Sequence, residues 1–265
     1  MSGVALALVL MAALLHATWN RMLHGATDRL AAAAVGAAVG AVLLLPATIT
    51  DPPVHAWPLA LASGAAEAAY FAFLAAAYRR GELSFTYPVA RGIAPFLITL
   101  GGALVLGQSL TAARVAGSLS LAAGLAIISQ AGLARGRGIA LVFAALTGVS
   151  IAVYSVIDAG AVRSAGAVGY LGAVTVVQGV ILLGAVRLDR ERLRASARAG
   201  AGIGVGSVAA YLLVLLAYQR APASPVATLR ELSILLGILI AGDRPGKRVW
   251  VGGTLCVLGA VLTVV

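Results

Sequence analysis

The sequence predicts an all-α integral membrane protein with about ten transmembrane helices, arranged as two inverted five-helix repeats. Three observations predict this fold: a very apolar composition, a series of apolar stretches of membrane-spanning length, and a pattern repeated between the two halves of the chain. Of the 265 residues, 61% are hydrophobic and 11% are charged, whereas soluble domains carry about 25% charged residues. Most of the surface must therefore face lipid, and the lipid bilayer is the expected surrounding.

About ten apolar stretches follow one another with only short polar gaps between them. A membrane-spanning helix needs about 20 mostly apolar residues, and each stretch has roughly that length. Turn-forming residues mark several breaks: Asp51-Pro52-Pro53, Gly81-Glu82, Ala221-Pro222 and Asp243-Arg244-Pro245-Gly246. The predicted spans are 2–22, 29–50, 57–79, 84–106, 110–132, 137–158, 165–187, 198–220, 223–243 and 247–265.

The formal net charge of +10 raises the question of nucleic-acid binding. The basic residues are divided among the gaps between apolar stretches and do not form one basic face, so no nucleic-acid partner is expected. The sequence also lacks a phosphate-binding P-loop and any Cys/His cluster with metal-ligand spacing. No cofactor and no metal are therefore expected.

The two halves of the chain, 1–132 and 133–265, carry a repeated pattern. Ala77-Tyr78-Arg79-Arg80 recurs as Ala217-Tyr218-Gln219-Arg220. Further matches occur at a constant offset of 135 residues, with Gly102, Gly107, Gly117, Gly124, Leu100 and Leu104 matching Gly237, Gly242, Gly252, Gly259, Leu235 and Leu239. Small residues let membrane helices approach closely, which gives the glycines a physical reason to recur. Chance likeness between glycine-rich apolar helices is the alternative.

Five helices in each half is an odd number, so the second half must cross the membrane upside down relative to the first. Inverted repeats are typical of secondary transporters, whose substrate site lies near the middle of the membrane at the repeat interface. The alternative is an integral membrane enzyme or a flippase for a lipid-linked substrate. Because the acidic residues are scattered and form no repeated Asp/Glu motif, we do not expect an enzyme.

The basic residues are distributed very unevenly between the two sides of the predicted bundle. Loops after odd-numbered helices hold fourteen Arg and Lys residues, whereas loops after even-numbered helices hold only Arg114, Arg163 and Arg220. The positive-inside rule then places both termini away from the cytoplasm.

Three stretches carry a family resemblance: His16-Ala17-Thr18-Trp19-Asn20, Tyr87 to Pro95, and Gly107-Gln108 with Gly242-Asp243. Together with the repeat, they resemble the EamA family of the drug/metabolite transporter superfamily over essentially the whole chain. The resemblance implies a multi-pass protein of the bacterial inner membrane that exports amino acids, drugs or other metabolites. The chain has Gln108 where the family often has an acidic residue. The family's termini are commonly cytoplasmic, opposite to the arginine distribution, so the orientation stays open.

Polar residues inside the predicted spans are the candidate substrate ligands, because a charge at a helix centre costs about 2.5–3.5 kcal/mol. Glu67 lies mid-helix with Tyr70 on the same face. Burial disfavours a charged carboxylate, which makes Glu67 a candidate proton carrier or a counter-ion for an amine. A structural ion pair with an arginine is the alternative. Arg91 could bind a substrate carboxylate in bidentate fashion, or pair with Glu67 and brace the bundle.

The remaining candidates lie on other spans. Arg230 and Glu231 are adjacent and point about 100° apart, so we expect one to pair across the bundle and the other to line the path. His16 and Asn20 share a helix face, and His16 is either a proton shuttle or a structural histidine. Trp19 beside them is interpreted as an interfacial anchor. Lesser candidates for lining the cavity are Tyr154, Asp158, Gln178 and Tyr211, and the alternative for Asp158 is that it marks a helix end.

These residues predict a central cavity between the halves that binds a small polar or amphipathic metabolite such as an amino acid. Alternating access would then carry the metabolite outwards. Proton uptake at Glu67 is one means of coupling, and exchange or facilitated diffusion are the others. The expected protein is a monomer or a homodimer.

Overall fold

The computed structural model describes the backbone of residues 1–80, 83–129, 138–240 and 246–264, and the side chains of 1–79, 90–128, 138–236 and 246–264. All regular structure in these residues is helical, which confirms the predicted class. Several residues of the predicted patterns lie outside the described part: Gly81-Glu82, Gly242-Asp243, Arg244-Pro245, and two of the fourteen basic loop residues, Arg135 and Arg137.

Each predicted span coincides with a helix, and one span is divided. The ninth consists of two helices that meet at Glu231, and a short extra helix lies in the polar linker between the seventh and eighth spans. The helices are α1 Gly3–Gly25, α2 Arg29–Thr50, α3 Trp57–Arg80, α4 Leu83–Leu104, α5 Ala112–Ser129, α6 Gly138–Ala161, α7 Ala167–Ala185, α8 Arg190–Ala195, α9 Ala197–Tyr218, α10 Ala223–Arg230, α11 Leu232–Ile240 and α12 Lys247–Val264.

Seven helices within the described ranges are long and apolar enough to cross a membrane: α1, α2, α3, α6, α7, α9 and α12. Shorter apolar segments are Ala90–Leu104 in α4 and Ala112–Ile128 in α5. Large apolar side chains point outwards along several of these helices, with Val42, Leu104 and Val180 each more than half exposed. Such a surface suits a surrounding of lipid.

Helices of the first half pack mainly on helices of the second. Contacts join α1 to α9, α2 to α7 and α9, α3 to α6 and α7, α4 to α6, and α5 to α12. The halves are therefore interleaved, and the buried core lies between them.

Four of the recurring glycines bring α5 and α12 together. A Cβ atom at Gly117 would lie 2.6 Å from the carbonyl oxygen of Gly259, and one at Gly124 would overlap the carbonyl oxygen of Gly252. Because the earlier glycine of α5 faces the later glycine of α12, the two helices run antiparallel. The glycines occur where backbones touch, in accordance with the packing role predicted for them.

The linker helix α8 is tied to the start of α2. Arg192 donates a hydrogen bond from Nε to the Asp28 carboxylate at 2.7 Å, and Asp28 also accepts one from the backbone N–H of Ala31. Partial burial of Asp28 opposes its charge, but these hydrogen bonds hold the pKa of its carboxyl below the usual value. The polar linker is thereby fixed against the bundle.

We predict that Gly124→Ala lowers the melting temperature of the detergent-solubilised protein by several degrees, because the added methyl group forces α5 and α12 apart. Gly184→Ala in α7 is the matched control, since a Cβ there meets nothing within 4 Å. That variant should match the wild type or exceed it, as alanine favours helix by up to about 1 kcal/mol. Equal melting temperatures for both variants would show that the glycine contact is not needed.

Candidate functional site

A cavity of about 50 Å³ lies between the two halves, at the middle of the bundle. Sites for drug-sized ligands usually measure about 300–1,000 Å³, whereas this volume admits only a few water molecules. The cavity as it stands is therefore too small for a drug-sized ligand. Its walls come from α1, α3, α4, α6, α7 and α9 and consist of His16, Trp19, Glu67, Tyr70, Phe71, Arg91, Tyr154, Leu171, Thr175, Gln178, Ser207, Val208 and Tyr211.

Most of the residues singled out by the sequence meet at this cavity. Seven of the candidates line it: His16, Glu67, Tyr70, Arg91, Tyr154, Gln178 and Tyr211. Arg230 and Glu231 are buried close to Arg91 without being part of the wall. Asn20 is not part of the cavity wall. Its side chain donates a hydrogen bond to the carbonyl of His16 at 2.7 Å within α1. Substrate binding by any of these residues stays a prediction.

Aromatic rings form a continuous wall along one side of the cavity. Tyr70 contacts Phe71 with ring centroids 4.8 Å apart and Tyr154 at 6.1 Å, and Tyr154 contacts Tyr211 at 5.7 Å. Trp19 extends the wall by packing 6.1 Å from Phe71. The interpretation of Trp19 as an interfacial anchor is wrong, since the side chain is 4% exposed and faces the site.

Glu67 reaches the cavity from the middle of α3 and is 9% exposed. Among the described residues no donor makes a hydrogen bond or ion pair with its carboxyl group. Asp158 and Arg230 are close enough to act on it electrostatically. The carboxyl group therefore does not join described helices to one another. The structural ion pair with an arginine, which was the alternative interpretation of Glu67, is not formed among the described residues.

Arg91 is paired with Glu231 and not with Glu67. Its Nε donates to Glu231 Oε2 at 2.5 Å and its Nη2 donates to Oε1 at 3.2 Å, a bidentate ion pair with side-chain exposures of 4% and 0%. The pair joins α4 to the junction of α10 and α11. Nearby, the hydroxyl groups of Thr99 and Ser224 are 2.7 Å apart and link the same helices. The brace considered for Arg91 is thus present, with a different partner.

Arg230 is the most deeply buried arginine of the site, at 1% exposure. Its Nε lies 3.6 Å from Glu231 Oε1, which is beyond hydrogen-bond distance. All three guanidinium nitrogens lack a hydrogen-bond partner among the described residues. Glu231 therefore pairs across the bundle, as predicted for one of these two adjacent residues. Arg230 is buried close to the cavity but is not part of its wall.

Asp158 is a buried acceptor in the structure and does not mark a helix end, since α6 continues to Ala161. Tyr170 donates its hydroxyl hydrogen bond to Oδ1 at 2.6 Å, and Tyr211 donates to Oδ2. The carboxylate therefore ties α6 to α7 and α9. Sequence reasoning missed Tyr170, although an acidic residue inside an apolar stretch is a signal for such a partner.

His16 directs one ring nitrogen along its own helix. Its Nδ1 lies 2.9 Å from the carbonyl oxygen of Ala12. Because a carbonyl oxygen can only accept, Nδ1 must carry the proton, which leaves Nε2 as an acceptor in the neutral ring. A ligand that donates a hydrogen bond would suit this nitrogen.

Comparison with known proteins identifies the chain. The model of the EamA-like transporter family matches residues 138–265, which hold α6 to α12. The second half of the chain is therefore similar to EamA-like transporters. The resemblance noted in the sequence is thereby confirmed.

Further comparisons bear on the fold of this EamA-like protein. Among 29 matching solved chains, one crystal structure covers 99% of this chain and 96% of its own, with a TM-score of 0.75 and 20% sequence identity. At that identity the likeness shows the fold alone. A search of curated proteins gives no match. The match of residues 138–265 to EamA-like transporters, together with the apolar helices, indicates a multi-pass membrane protein.

We predict that Glu231→Gln destabilises this EamA-like protein more than Arg91→Met. Glu231→Gln leaves two buried guanidinium groups without a carboxylate, and breaking a buried ion pair costs about 3–5 kcal/mol. In Arg91→Met the carboxylate can turn to Arg230, whose Nε is already 3.6 Å away. Thermal unfolding in detergent measures the order. A larger loss for Arg91→Met would show that Arg230 does not replace the lost partner.

Proposed function

We propose that this chain is a secondary transporter that exports a small polar or amphipathic metabolite, such as an amino acid, across a bacterial inner membrane. Two inverted five-helix halves would give alternating access to the central cavity. The observation that carries the proposal is the small cavity between the halves, lined by aromatic rings and by the carboxyl group of Glu67, which accepts no hydrogen bond from the described residues.

Antiparallel contacts between counterpart helices support ten spans in two inverted repeats. Besides α5 and α12, helix α4 runs antiparallel to α10, because Arg91 contacts Glu231 while Thr99 contacts Ser224. For α2 and α7, a Cβ at Gly179 would lie beside Ala37 and one at Gly172 beside Leu44. An inverted repeat requires this direction for counterparts that touch.

The helix contacts also occur in matching pairs. If α1 to α5 correspond to α6, α7, α9, the α10–α11 pair and α12, then the contact of α1 with α9 corresponds to that of α6 with α3. By the same rule, the contact of α2 with α9 corresponds to the contact of α7 with α3. The contact of α4 with α6 likewise corresponds to the contacts of α1 with α10 and α11. All of these contacts are present. This two-fold pattern supports halves that can rock about a shared axis.

Three hydrogen bonds close the bundle at the end where α4 finishes and α10 begins. Gln108 accepts from the backbone N–H of Ala223 at 2.9 Å, and Gln219 donates to the carbonyl of Val162 at 3.1 Å. The third is the contact between Thr99 and Ser224. Moving the halves apart at this end would break the bonds at Gln108 and Thr99, which join the two halves, whereas the bond between Gln219 and Val162 lies within the second half. The opposite end carries the arginine-rich linker 187–198. Such an asymmetry supports alternating access from the two ends.

The chemistry of the cavity favours a ligand with an amino group and an apolar body. Aromatic faces attract cations, and an unpaired carboxylate is their natural counter-ion. Glu67 would bind the amine in one state and a proton in the other, since both neutralise the same buried charge. Proton coupling at Glu67 follows from this exchange.

Counterflow in proteoliposomes with a panel of radiolabelled amino acids tests the function. We expect the wild type to accumulate at least one of them, and Glu67→Gln to reduce the rate at least tenfold and abolish its dependence on pH. Glu191→Gln, the same change on the exposed helix α8, is the matched control and should transport normally. If folded wild type moves no amino acid, the substrate class is wrong. If Glu67→Gln keeps the pH dependence, the proton role is wrong.

A further inference from the structure

We infer that Arg230 is the centre of a buried anion subsite, distinct from Arg91, which receives the carboxylate of the transported metabolite. The inference rests on the proposed function, and it makes the substrate a zwitterion whose acid group lies behind the aromatic wall.

The guanidinium group of Arg230 lacks the partners that a buried charge needs. It carries five N–H donors, and none of its three nitrogens is hydrogen-bonded among the described residues. A nearby carboxylate, that of Glu231, lies 3.6 Å from Nε and already accepts two hydrogen bonds from Arg91. Leaving a buried charged donor unsatisfied costs free energy, so a missing acceptor is expected here.

Other unsatisfied groups occur beside the same arginine. The buried hydroxyl group of Tyr218 makes no hydrogen bond of good geometry in the described chain, and the buried hydroxyl group of Ser155 lies close enough to interact with it. Tyr154 and Tyr218 both interact electrostatically with Arg230. If the Ser155 hydroxyl donates to Tyr218, the Tyr218 hydroxyl still offers one hydrogen-bond donor beside the guanidinium fork. Donors of this kind fit a carboxylate, which a guanidinium group binds in bidentate fashion.

The neighbouring acids do not fill this role. Asp158 acts on the region electrostatically, but its two oxygens accept hydrogen bonds from Tyr170 and Tyr211. Glu67 lies at the cavity, within the electrostatic reach of Arg230 but without a hydrogen bond to it. Both acids therefore leave the guanidinium donors open.

Arg230 lies close enough to the cavity for one small ligand to reach both places. Its charge acts on His16, Glu67 and Tyr154, which all line the cavity. A zwitterion would place its carboxylate against Arg230 and its ammonium group towards Glu67 and the aromatic rings. The present volume of about 50 Å³ means that the wall must move outwards when the ligand enters.

Thermal unfolding of the purified protein in chloride-free detergent buffer tests the subsite directly. The probes are L-phenylalanine, L-phenylalaninamide, 3-phenylpropanoate and sodium chloride. We expect the two carboxylates to raise the melting temperature of the wild type and the amide to leave it unchanged. In Arg230→Met the carboxylates should have no effect, and in Arg230→Lys the binding should be at least tenfold weaker. Arg163→Met, which removes an exposed arginine, is the matched control and should respond like the wild type.

The ligand-free protein gives a second readout that a purely structural arginine would not give. Arg230→Met should melt at or above the wild-type temperature without ligand, because it removes an unsatisfied buried charge and leaves the Arg91–Glu231 pair intact. A lower melting temperature for Arg230→Met would assign the arginine to the structure and overturn the subsite.

The remaining outcomes separate the subsite from the proposed function. A carboxylate shift that persists in Arg230→Met, or no shift in a wild type that shows counterflow, overturns the subsite and leaves the transporter in place. An equal Arg230-dependent shift with chloride identifies an inorganic anion and overturns the assignment to substrate. Arg230-dependent carboxylate binding in a protein without counterflow supports the subsite and contradicts the proposed transport.

Discussion

Arg91 and Glu231 lie buried where α4 crosses the junction of α10 and α11, and their bidentate ion pair determines how the other charges of the site are used. Removing two charges from water costs several kcal/mol for each ion, so good geometry and complete hydrogen bonding are needed to offset it. Arg91 donates a hydrogen bond to each oxygen of Glu231, whereas the Nε of Arg230 stays 3.6 Å from Oε1, beyond hydrogen-bond distance. The same pairing leaves Glu67 free to face the cavity.

The position of this pair also suits a structure that must move. It lies within the α4–α10 crossing, whereas the hydrogen bond that Ala223 donates to Gln108 lies at one end of the bundle. In our account the central pair persists as the halves rock and the bonds at the end break. The glycine contacts between α5 and α12 have no side chains to interlock, so these helices can serve as a compact pivot.

The sequence predicted the helices well because lipid imposes a strong constraint on composition and length. It could not predict the partner of Arg91, since Glu231 is 140 residues away and no local pattern encodes a contact between distant helices. Trp19 was misassigned for a related reason. It lies near the end of the predicted span, yet α1 continues to Gly25 and tertiary packing against Phe71 buries the ring.

The break in the ninth span shows the same limit. Residues 223–243 have the composition of one continuous helix, and nothing local marks the interruption at Glu231. The break coincides with the place where Glu231 reaches Arg91 and Arg230 turns towards Tyr154 and Tyr218. The helix break thus occurs where polar groups from distant helices meet, and helix propensity does not account for it. Non-helical backbone at membrane depth is tolerated where it is buried in protein.

The central claim is that the two ends of the bundle open in turn. Distances between spin labels in lipid nanodiscs would test it in a Cys256→Ala background, with Ser109→Cys and Arg220→Cys at one end and His24→Cys and Arg187→Cys at the other. All four positions are exposed and each pair joins the two halves. The account predicts that a transported amino acid lengthens one distance while it shortens the other. Two distances that stay constant, or that change in the same direction, would contradict alternating access.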